Sequence, residues 1–265
     1  MPTSRLTLAH PLSVLSRPDG ALQLGLDSDA AVVVPRAPAG ADAALRALRQ
    51  PRTTLEVSRL VPSVPHAWLR GLAATLLEKG LLRESTAAAP VPRVRVLGTG
   101  TLRDEVARTL EAEGWQVAPP SGPPTGTDVA VLCPPTAEPD RVLARELTAS
   151  GLPHLVVRAE PERAVVGPFV DPGRTACLGC TDLVRRDLDP LFPHLLAQLC
   201  RAEHTATPRQ AGFAAAVAAA QLDAWRRGLA PATRGATLEL DALSGDVGGR
   251  AWPVHPECGC SLAAA

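Results

Sequence analysis

The feature that most constrains this chain is a set of four cysteines in two tight pairs that lie far apart in the sequence. Cys177 and Cys180 form a Cys-x-x-Cys pair, and Cys258 and Cys260 form a Cys-x-Cys pair. Four thiolates at tetrahedral corners, about 2.3 Å from the metal, are what a structural zinc site needs. Such a site leaves no position for a water molecule, so the pattern predicts a Zn²⁺ that stabilises the fold and does no chemistry.

Two other interpretations of the cysteines stay open. A Cys-x-x-Cys can be a redox pair, although redox chemistry does not call for a second pair much later in the chain. Disulfides would suit an exported protein, but residues 1–15 lack the charged, apolar and small-residue progression of a signal peptide. Cys133 and Cys200 lie among apolar residues and are predicted to be buried, inert thiols.

Composition excludes several classes of protein. The formal net charge of the 265 residues is zero, so no global basic field favours a nucleic-acid partner. No uncharged apolar run approaches the roughly 18 residues of a membrane span, so we expect no membrane association and a cytoplasmic location. Only one of the 27 basic residues is a lysine, Lys79.

Small residues and two prolines over residues 86–93 predict a linker between two domains, residues 1–85 and 94–265. In the first domain, turn residues between Leu22–Leu26 and Ala31–Val34 predict a β-hairpin. Apolar periodicity then predicts three helices, Ala41–Leu48, Thr54–Leu60 and His66–Lys79. This small α+β module resembles a winged helix-turn-helix.

A winged helix can bind either DNA or a peptide. The third predicted helix carries only Arg70 and Lys79, whereas a recognition helix presents several basic or amide side chains to base edges. Nucleic acid is therefore the less favoured partner. The alternative is capture of a peptide as an added strand, with the edge at Leu22–Leu26 or at Val32–Val34 as the platform.

The second domain has the alternation of a doubly wound α/β fold. Arg93–Leu97 predicts a strand, a glycine turn follows, Leu102–Glu113 predicts a helix, and Trp115–Ala118 predicts a second strand. The apolar run Asp128–Cys133 is typical of a parallel strand buried on both faces. An alanine-rich helix, Phe213–Gly228, would allow close packing on the sheet or on a second copy of the chain.

The turn after the first strand of this domain contains half of a nucleotide fingerprint. Gly98 and Gly100 match the first two glycines, but Arg103 occupies the third position. The acidic ribose ligand expected about 20 residues later is absent, since the second strand runs into prolines. A tight strand-to-helix turn without nucleotide is the simpler interpretation, although the helix N-terminus could still bind an anion.

Two segments carry a family resemblance. Residues 167–190 (GPFVDPGRTACLGCTDLVRRDLDP) and 237–260 (TLELDALSGDVGGRAWPVHPECGC), with the glycine turn and the alanine-rich helix, resemble the ThiF-type, ubiquitin-activating (E1)-like adenylyltransferases. The chain is most similar to the leader-peptide-binding, cyclodehydratase-partner branch of thiazole/oxazole-modified peptide biosynthesis. In that branch a winged-helix peptide-recognition module precedes a Rossmann-like activating-enzyme domain with a zinc knuckle.

The resemblance implies zinc ligation by Cys177, Cys180, Cys258 and Cys260. It does not carry over an ATP site, because active members use a full glycine loop, an acidic ribose ligand, and an Arg and a Lys on the phosphates. The expected cofactor is therefore structural Zn²⁺ rather than ATP, with Gly98, Gly100 and Arg103 as a degenerate nucleotide loop.

These observations predict a non-catalytic ThiF-like protein, a degenerate adenylyltransferase, that binds a peptide or protein substrate and presents it to a separate modifying enzyme. A homodimer is expected, since resembling proteins often pair through this domain. The first alternative is an active ATP-dependent adenylyltransferase that activates a C-terminal carboxylate. The second alternative is a winged-helix regulator that binds DNA.

Overall fold

The computed structural model describes residues 4–9, 12–26, 31–85, 92–119 and 126–260. The chain divides into two compact units, Met1–Pro90 and Val91–Ala265. Most of the predicted linker, residues 86–91, and the predicted hairpin turn at residues 27–30 lie outside the described ranges. Each unit has its own apolar core.

The first unit combines two small sheets with three helices. Its elements are β1 (Arg5–Leu8), β2 (Val14–Ser16), β3 (Leu22–Leu24), β4 (Val32–Val34), α1 (Ala41–Ala47), α2 (Thr54–Leu60), α3 (His66–Glu78) and β5 (Leu82–Ser85). Strands β2, β3 and β4 form an antiparallel sheet in that order, and β1 pairs with β5. The predicted hairpin and the three predicted helices are confirmed.

Local sequence explains the helices of this unit. Thr53 and Glu56 form a capping box at the start of α2, in which each side chain accepts the backbone N–H of the other, at 3.1 and 2.8 Å. Helix α3 buries Leu69, Leu72 and Leu76 on one face, as the apolar spacing predicts. Lys79 ends α3 and is exposed.

The second unit is an α/β domain built on a seven-stranded sheet. Its elements are β6 (Arg93–Gly98), α4 (Thr101–Ala112), β7 (Gln116–Ala118), β8 (Val129–Cys133), α5 (Arg141–Ala149), β9 (His154–Glu160), β10 (Arg163–Val170), α6 (Leu178–Leu188), α7 (Phe192–Leu199), α8 (Pro208–Arg226), β11 (Ala236–Asp241) and β12 (Val247–Ala251). The sheet order is β12-β11-β10-β9-β8-β6-β7. The predicted α/β class is confirmed.

Only half of this sheet has the parallel arrangement of a doubly wound fold. Strands β7, β6, β8 and β9 are parallel, whereas β10, β11 and β12 are added antiparallel. The change occurs because two residues, Pro161 and Glu162, join β9 to β10. A parallel crossover needs a dozen or so residues, so this connection can only form a hairpin.

Helices cover both faces of the sheet. On one face α4 and α8 pack together, and on the other α5 and the start of α6 contact β8 and β9. The alanines of α8 that face the core, Ala214, Ala215, Ala218 and Ala219, are almost fully buried inside the unit. The alanine-rich helix therefore serves internal packing. In the described part of the chain, no helix is long and apolar enough to cross a bilayer.

Candidate functional site

The four paired cysteines converge on one point of the second unit. The Sγ atoms of Cys177 and Cys180 are 4.0 Å apart, Cys177 lies 3.5 Å from Cys258, and Cys180 lies 3.4 Å from Cys260. All four ligand atoms fall within 4.8 Å of one another. A tetrahedron with metal–sulfur bonds of about 2.3 Å has sulfur–sulfur edges of about 3.8 Å. The cluster therefore has the dimensions of a structural metal site.

The arrangement excludes disulfides in this structure. All six cysteines are free, and the shortest of the distances between paired sulfurs, 3.4 Å, far exceeds a disulfide bond of about 2.05 Å. Cys133 is fully buried, and burial raises the pKa of its thiol. Cys200 is half-buried, and burial also raises its pKa. Both raised pKa values disfavour the reactive thiolate, as expected for inert cysteines.

The local backbone explains why these sulfurs meet. Cys177 is the N-cap residue of α6 and Cys180 lies in its first turn, where the helix dipole favours thiolates. A Cβ atom on Gly179 would lie 3.0 Å from the Cys258 sulfur, so a side chain there would crowd the cluster. Gly259 has a φ of 66°, a conformation that glycine adopts at little cost, and it turns the second pair back on itself.

The crowded thiols share their protons unequally. A hydrogen bond from the Cys177 thiol lowers the pKa of Cys180 to about 4, and the same hydrogen bond, together with burial, raises the pKa of Cys177. Burial and the contact with Cys180 raise the pKa of Cys260 to about 12. Without a cation, these four thiols cannot all be ionised at once. A soft metal ion suits the cluster, because a bound metal favours the thiolate form of every cysteine.

An ion pair and a histidine–carboxylate contact attach the segment of the second cysteine pair to α6. Arg186 donates to Glu257 at 2.9 Å, and Nε2 of His255 lies 2.8 Å from a carboxylate oxygen of Asp187. His255 also accepts the backbone N–H of Cys258 on its carbonyl oxygen at 3.0 Å. The turn that carries Cys258 and Cys260 is thus positioned by its own contacts with the helix that carries the first pair.

A buried charge cluster connects the start of α5 with α6. Glu138 is 2% exposed, and its carboxylate contacts Arg141 at 2.8 Å, Arg185 at 2.8 Å and Arg158 at 3.4 Å. Arg141 also forms a bidentate pair with Asp182, at 2.7 and 2.9 Å. Burial alone would raise the pKa of Glu138, but the three guanidinium groups outweigh it and hold the pKa at about 2. Sequence reasoning missed Glu138, because its partners are up to 47 residues away.

The predicted nucleotide loop borders a cavity of about 340 Å³ at the carboxyl ends of β6 and β8. Gly98 has a φ of 120°, and a Cβ atom there would overlap the carbonyl oxygen of Cys133, so this glycine is explained by strand packing. Gly100 lines the cavity and precedes α4. Arg103 does not line it and instead pairs with Asp104 at 3.2 Å.

The lining of this cavity includes an acidic residue. Glu203 and His204 line it, together with Thr205 and Ala206. At the end of β7, where a ribose ligand would be expected, the described residues read Val117, Ala118 and Pro119, without a carboxylate. The cavity therefore lies at the carboxyl ends of parallel strands, where α/β folds bind ligands, and its lining residues include neither lysine nor arginine.

The overall architecture, an α/β unit preceded by a small α+β unit, is similar to that of solved heterocyclases. One is a heterocyclase solved in complex with substrate and cofactor, with a TM-score of 0.70 and 17% identity over 98% of this chain and 40% of that chain. The heterocyclase TruD matches with a TM-score of 0.64 and 18% identity, over 97% of this chain and 43% of that one. The chain thus spans less than half the length of these two proteins.

The fold is also similar to that of a protein of comparable length, E. coli MccB. MccB solved with ATP matches with a TM-score of 0.60 and 13% identity, over 97% of this chain and 99% of that chain. MccB has also been solved with MccA-N7isoASN. No protein-family model matches the sequence, and no curated protein matches it. At these identities the comparisons establish a shared heterocyclase-type fold.

Proposed function

We propose that this chain is a non-catalytic, ThiF-like protein that binds a peptide through its first unit and presents it to a separate modifying enzyme. The observation that carries the proposal is the position of β4 at the edge of the three-stranded sheet, unpaired on its outer side in the described part of the chain. The three-stranded sheet and three helices of this unit support a winged-helix recognition module. The fold shared with a heterocyclase solved with its substrate supports a role in peptide modification.

The order of the strands leaves one of the two expected edges, Val32–Val34, as the proposed platform for the peptide. Leu22–Leu24 forms the central strand β3, which is paired on both sides, so the expectation of an edge at Leu22–Leu26 is wrong. Strand β4 lies at the edge, and in the described part of the chain no strand pairs with its outer side. An edge strand offers unpaired backbone groups to an extended peptide.

The hydrogen bonds of the sheet identify the exposed backbone groups. Arg17 donates its N–H to Ala21 and Gly25 donates to Ser13, so odd-numbered residues of β3 face β2 and even-numbered ones face β4. Val32 and Val34, opposite Leu24 and Leu22, therefore direct their backbone groups inward. Val33 directs its N–H and C=O outward, and its side chain is 46% exposed.

The second unit would supply a rigid frame instead of a reaction centre. The four cysteines fit a Zn²⁺ ion, which, when bound, would stabilise the fold as a closed site without an open coordination position. The lining of the cavity beside Gly100 contains the acidic Glu203 and no lysine or arginine that would bind phosphate. The single lysine of the chain, Lys79, belongs to the first unit. These features support a degenerate nucleotide site.

The proposal assigns the modification step to a separate enzyme, because the second unit would act as a frame and not as a reaction centre. This chain would deliver the bound peptide to that enzyme.

The test is peptide capture by the metal-loaded full chain on an array of random extended peptides. Val33→Pro removes the outward N–H at the centre of the β4 edge, whereas Val33→Thr keeps the strand and the donor. We expect captured peptides to bind Val33→Thr normally and to lose most of their binding to Val33→Pro. Unchanged binding by the proline variant, or no capture by the wild type, contradicts the proposal.

An ATP-dependent adenylyltransferase remains the second candidate, favoured by the cavity at the strand ends and by the similarity to MccB solved with ATP. Calorimetric titration of Mg²⁺-ATP into the full chain separates the two functions. We expect no saturable heat at millimolar ATP. Micromolar binding that is lost on blocking the cavity with Thr99→Trp would favour the adenylyltransferase instead.

A further inference from the structure

The turn that follows strand β4 contains an arginine in a backbone conformation that suits glycine. Pro35 and Arg36 form a turn directly after Val32–Val34, and Arg36 has a φ of 51°. Among the described residues, every other residue with a positive φ is a glycine. A Cβ atom makes this left-handed region of the backbone costly. The chain therefore keeps an arginine where glycine would be more stable.

The turn itself does not require an arginine. Proline at the second position and a positive φ at the third are the pattern of a type II turn, in which glycine or asparagine usually occupies the third position. Arg36 is exposed, and in the described part of the chain its guanidinium forms neither an ion pair nor a hydrogen bond. The contacts of the folded first unit thus give no reason for this side chain.

Arg36 lies next to the proposed peptide platform. Val33 directs its N–H and C=O outward at the centre of β4, and Arg36 follows three residues later. Pro35 has no N–H, so the backbone immediately after β4 offers an added strand no further donor. The first charged side chain of the sequence after β4 is that of Arg36.

The charge of the first unit favours an acidic ligand. Met1–Pro90 contains ten basic and seven acidic residues. In the sheet that contains β4, Arg17 is already compensated, since it lies 3.6 Å from Asp19 and donates to Gln23 at 3.0 Å. Arg36, without an ion pair among the described residues, leaves a positive charge at the end of the edge strand. A guanidinium can bind a carboxylate through two parallel hydrogen bonds.

We propose that Arg36 binds a carboxylate side chain of the peptide that pairs with β4. This inference rests on the proposed function and adds the chemistry of the substrate, an extended segment with an aspartate or glutamate beside the residues that join the sheet. The strained backbone is retained because the guanidinium serves binding and not folding.

Protection of an open sheet edge is the other role that a charge at this position could have. Charged residues and prolines beside an edge strand hinder pairing between copies of a chain. That role needs a charge of either sign, whereas carboxylate binding needs a positive one. Arg36→Glu separates the two roles, because glutamate has a Cβ atom, as arginine does, and keeps a charge at this position.

The test uses two libraries of short extended peptides that differ only in carrying either glutamate or glutamine. Their binding is measured to the metal-loaded full chain, as wild type, Arg36→Gly and Arg36→Glu. We expect the wild type to bind the glutamate peptides about fivefold more tightly, a preference that added salt weakens. Arg36→Gly should bind both libraries equally, and Arg36→Glu should prefer the glutamine peptides.

Thermal melts provide a second readout. Arg36→Gly should raise the melting temperature by a few degrees, since glycine adopts a positive φ at little cost, and Arg36→Glu should leave it unchanged. A lower melting temperature for Arg36→Gly would show that the arginine serves the turn and would overturn the inference.

The binding data distinguish this inference from the proposed function. Equal binding of both libraries by the wild type, or a glutamate preference that survives in Arg36→Gly, overturns the role of Arg36. If the wild type binds both libraries equally and Val33→Pro binds neither, the proposed function stands without this role. If neither library binds to the wild type, both proposals are wrong.

Discussion

At the scale of single residues, Glu138 places a negative charge where solvent barely reaches it. Three arginines converge on one carboxylate, and one of them, Arg158, is itself only 3% exposed. A buried ion pair adds little net stability over a well-packed apolar core, but removing one partner leaves the others uncompensated. The cluster is therefore most sensitive to replacement of Glu138, the residue that all three arginines contact.

We predict that Glu138→Gln lowers the free energy of unfolding by about 3–5 kcal/mol, because it leaves buried guanidinium groups without their counter-charge. Urea denaturation of the metal-loaded protein measures this change. Glu203→Gln, at an exposed carboxylate, is the matched control and should change stability by less than about 0.5 kcal/mol. Equal effects of the two substitutions would show that the cluster is not coupled to folding.

The same carboxylate predicts a dependence of stability on pH. The pKa of Glu138 is about 2 in the folded chain and about 4.5 without these contacts, so the folded state holds the ionised form. Its contribution is complete above pH 4.5 and is lost as pH falls towards 2. Urea midpoints over this range should fall for the wild type and change much less for Glu138→Gln.

Substitution of Gly98 tests whether this glycine of the predicted nucleotide loop is required for folding. A Cβ atom at Gly98 would overlap the carbonyl of Cys133, whereas one at Gly212, inside α8, meets open space. We predict that Gly98→Ala destabilises the second unit by more than about 3 kcal/mol, and that Gly212→Ala stabilises it by about 0.5–1 kcal/mol. Thermal melts measure both, and a harmless Gly98→Ala would indicate that the turn is kept for another purpose.

At the scale of elements, helix α6 begins at the cysteine cluster. Cys177 is the N-cap residue of the helix, and contacts of Arg186 with Glu257 and of Asp187 with His255 attach its last turn to the segment after β12. The metal would thus join the N-terminus of a helix to the far edge of the sheet. Loss of the metal should destabilise that edge of the sheet before it affects the parallel strands β6–β9.

We predict that Cys258→Ser removes about one metal ion per chain and lowers the melting temperature of the second unit by several degrees. Cys200→Ser is the matched control, since Cys200 is also a half-buried thiol but lies outside the cluster. Metal content by mass spectrometry and melting curves provide the two measurements. Retention of a full metal complement by Cys258→Ser would contradict the four-cysteine site.

The elements show what sequence could and could not predict. Cysteine pairs, glycine turns and apolar periodicity are local signals, so the cysteine cluster, the three helices of the first unit and strands β6, β7 and β8 of the second were predictable. Pairing between β1 and β5, about 75 residues apart, leaves no local pattern. The start of α6 at Leu178 also has only a weak local signal, because Gly179 in its first turn is a poor helix former.

The whole molecule consists of two units with separate apolar cores. Every buried residue of one core cluster lies between Leu6 and Leu82, and every member of the largest cluster lies between Val94 and Leu240. The units can therefore be tested separately. The Glu138 cluster could not be predicted from the sequence, because the spacing of charged residues along the chain does not indicate which of them the fold brings together.

We predict that residues 91–265 fold alone and bind metal at the level of the full chain. Circular dichroism, metal content and the melting temperature compare the fragment with the intact protein. A melting temperature within a few degrees of that of the full chain is expected. An unfolded or metal-free fragment would show that the first unit contributes to the stability of the second.

The exposed Lys79 at the end of α3 gives the protein an unusual property. Because every other basic side chain is an arginine, an amine-reactive dye can modify one side chain in the entire molecule. Apart from the terminal amine, labelling therefore marks the first unit alone, without any substitution. Fluorescence from that single position would report directly on events in the first unit, while the unit with the cysteine cluster carries no dye.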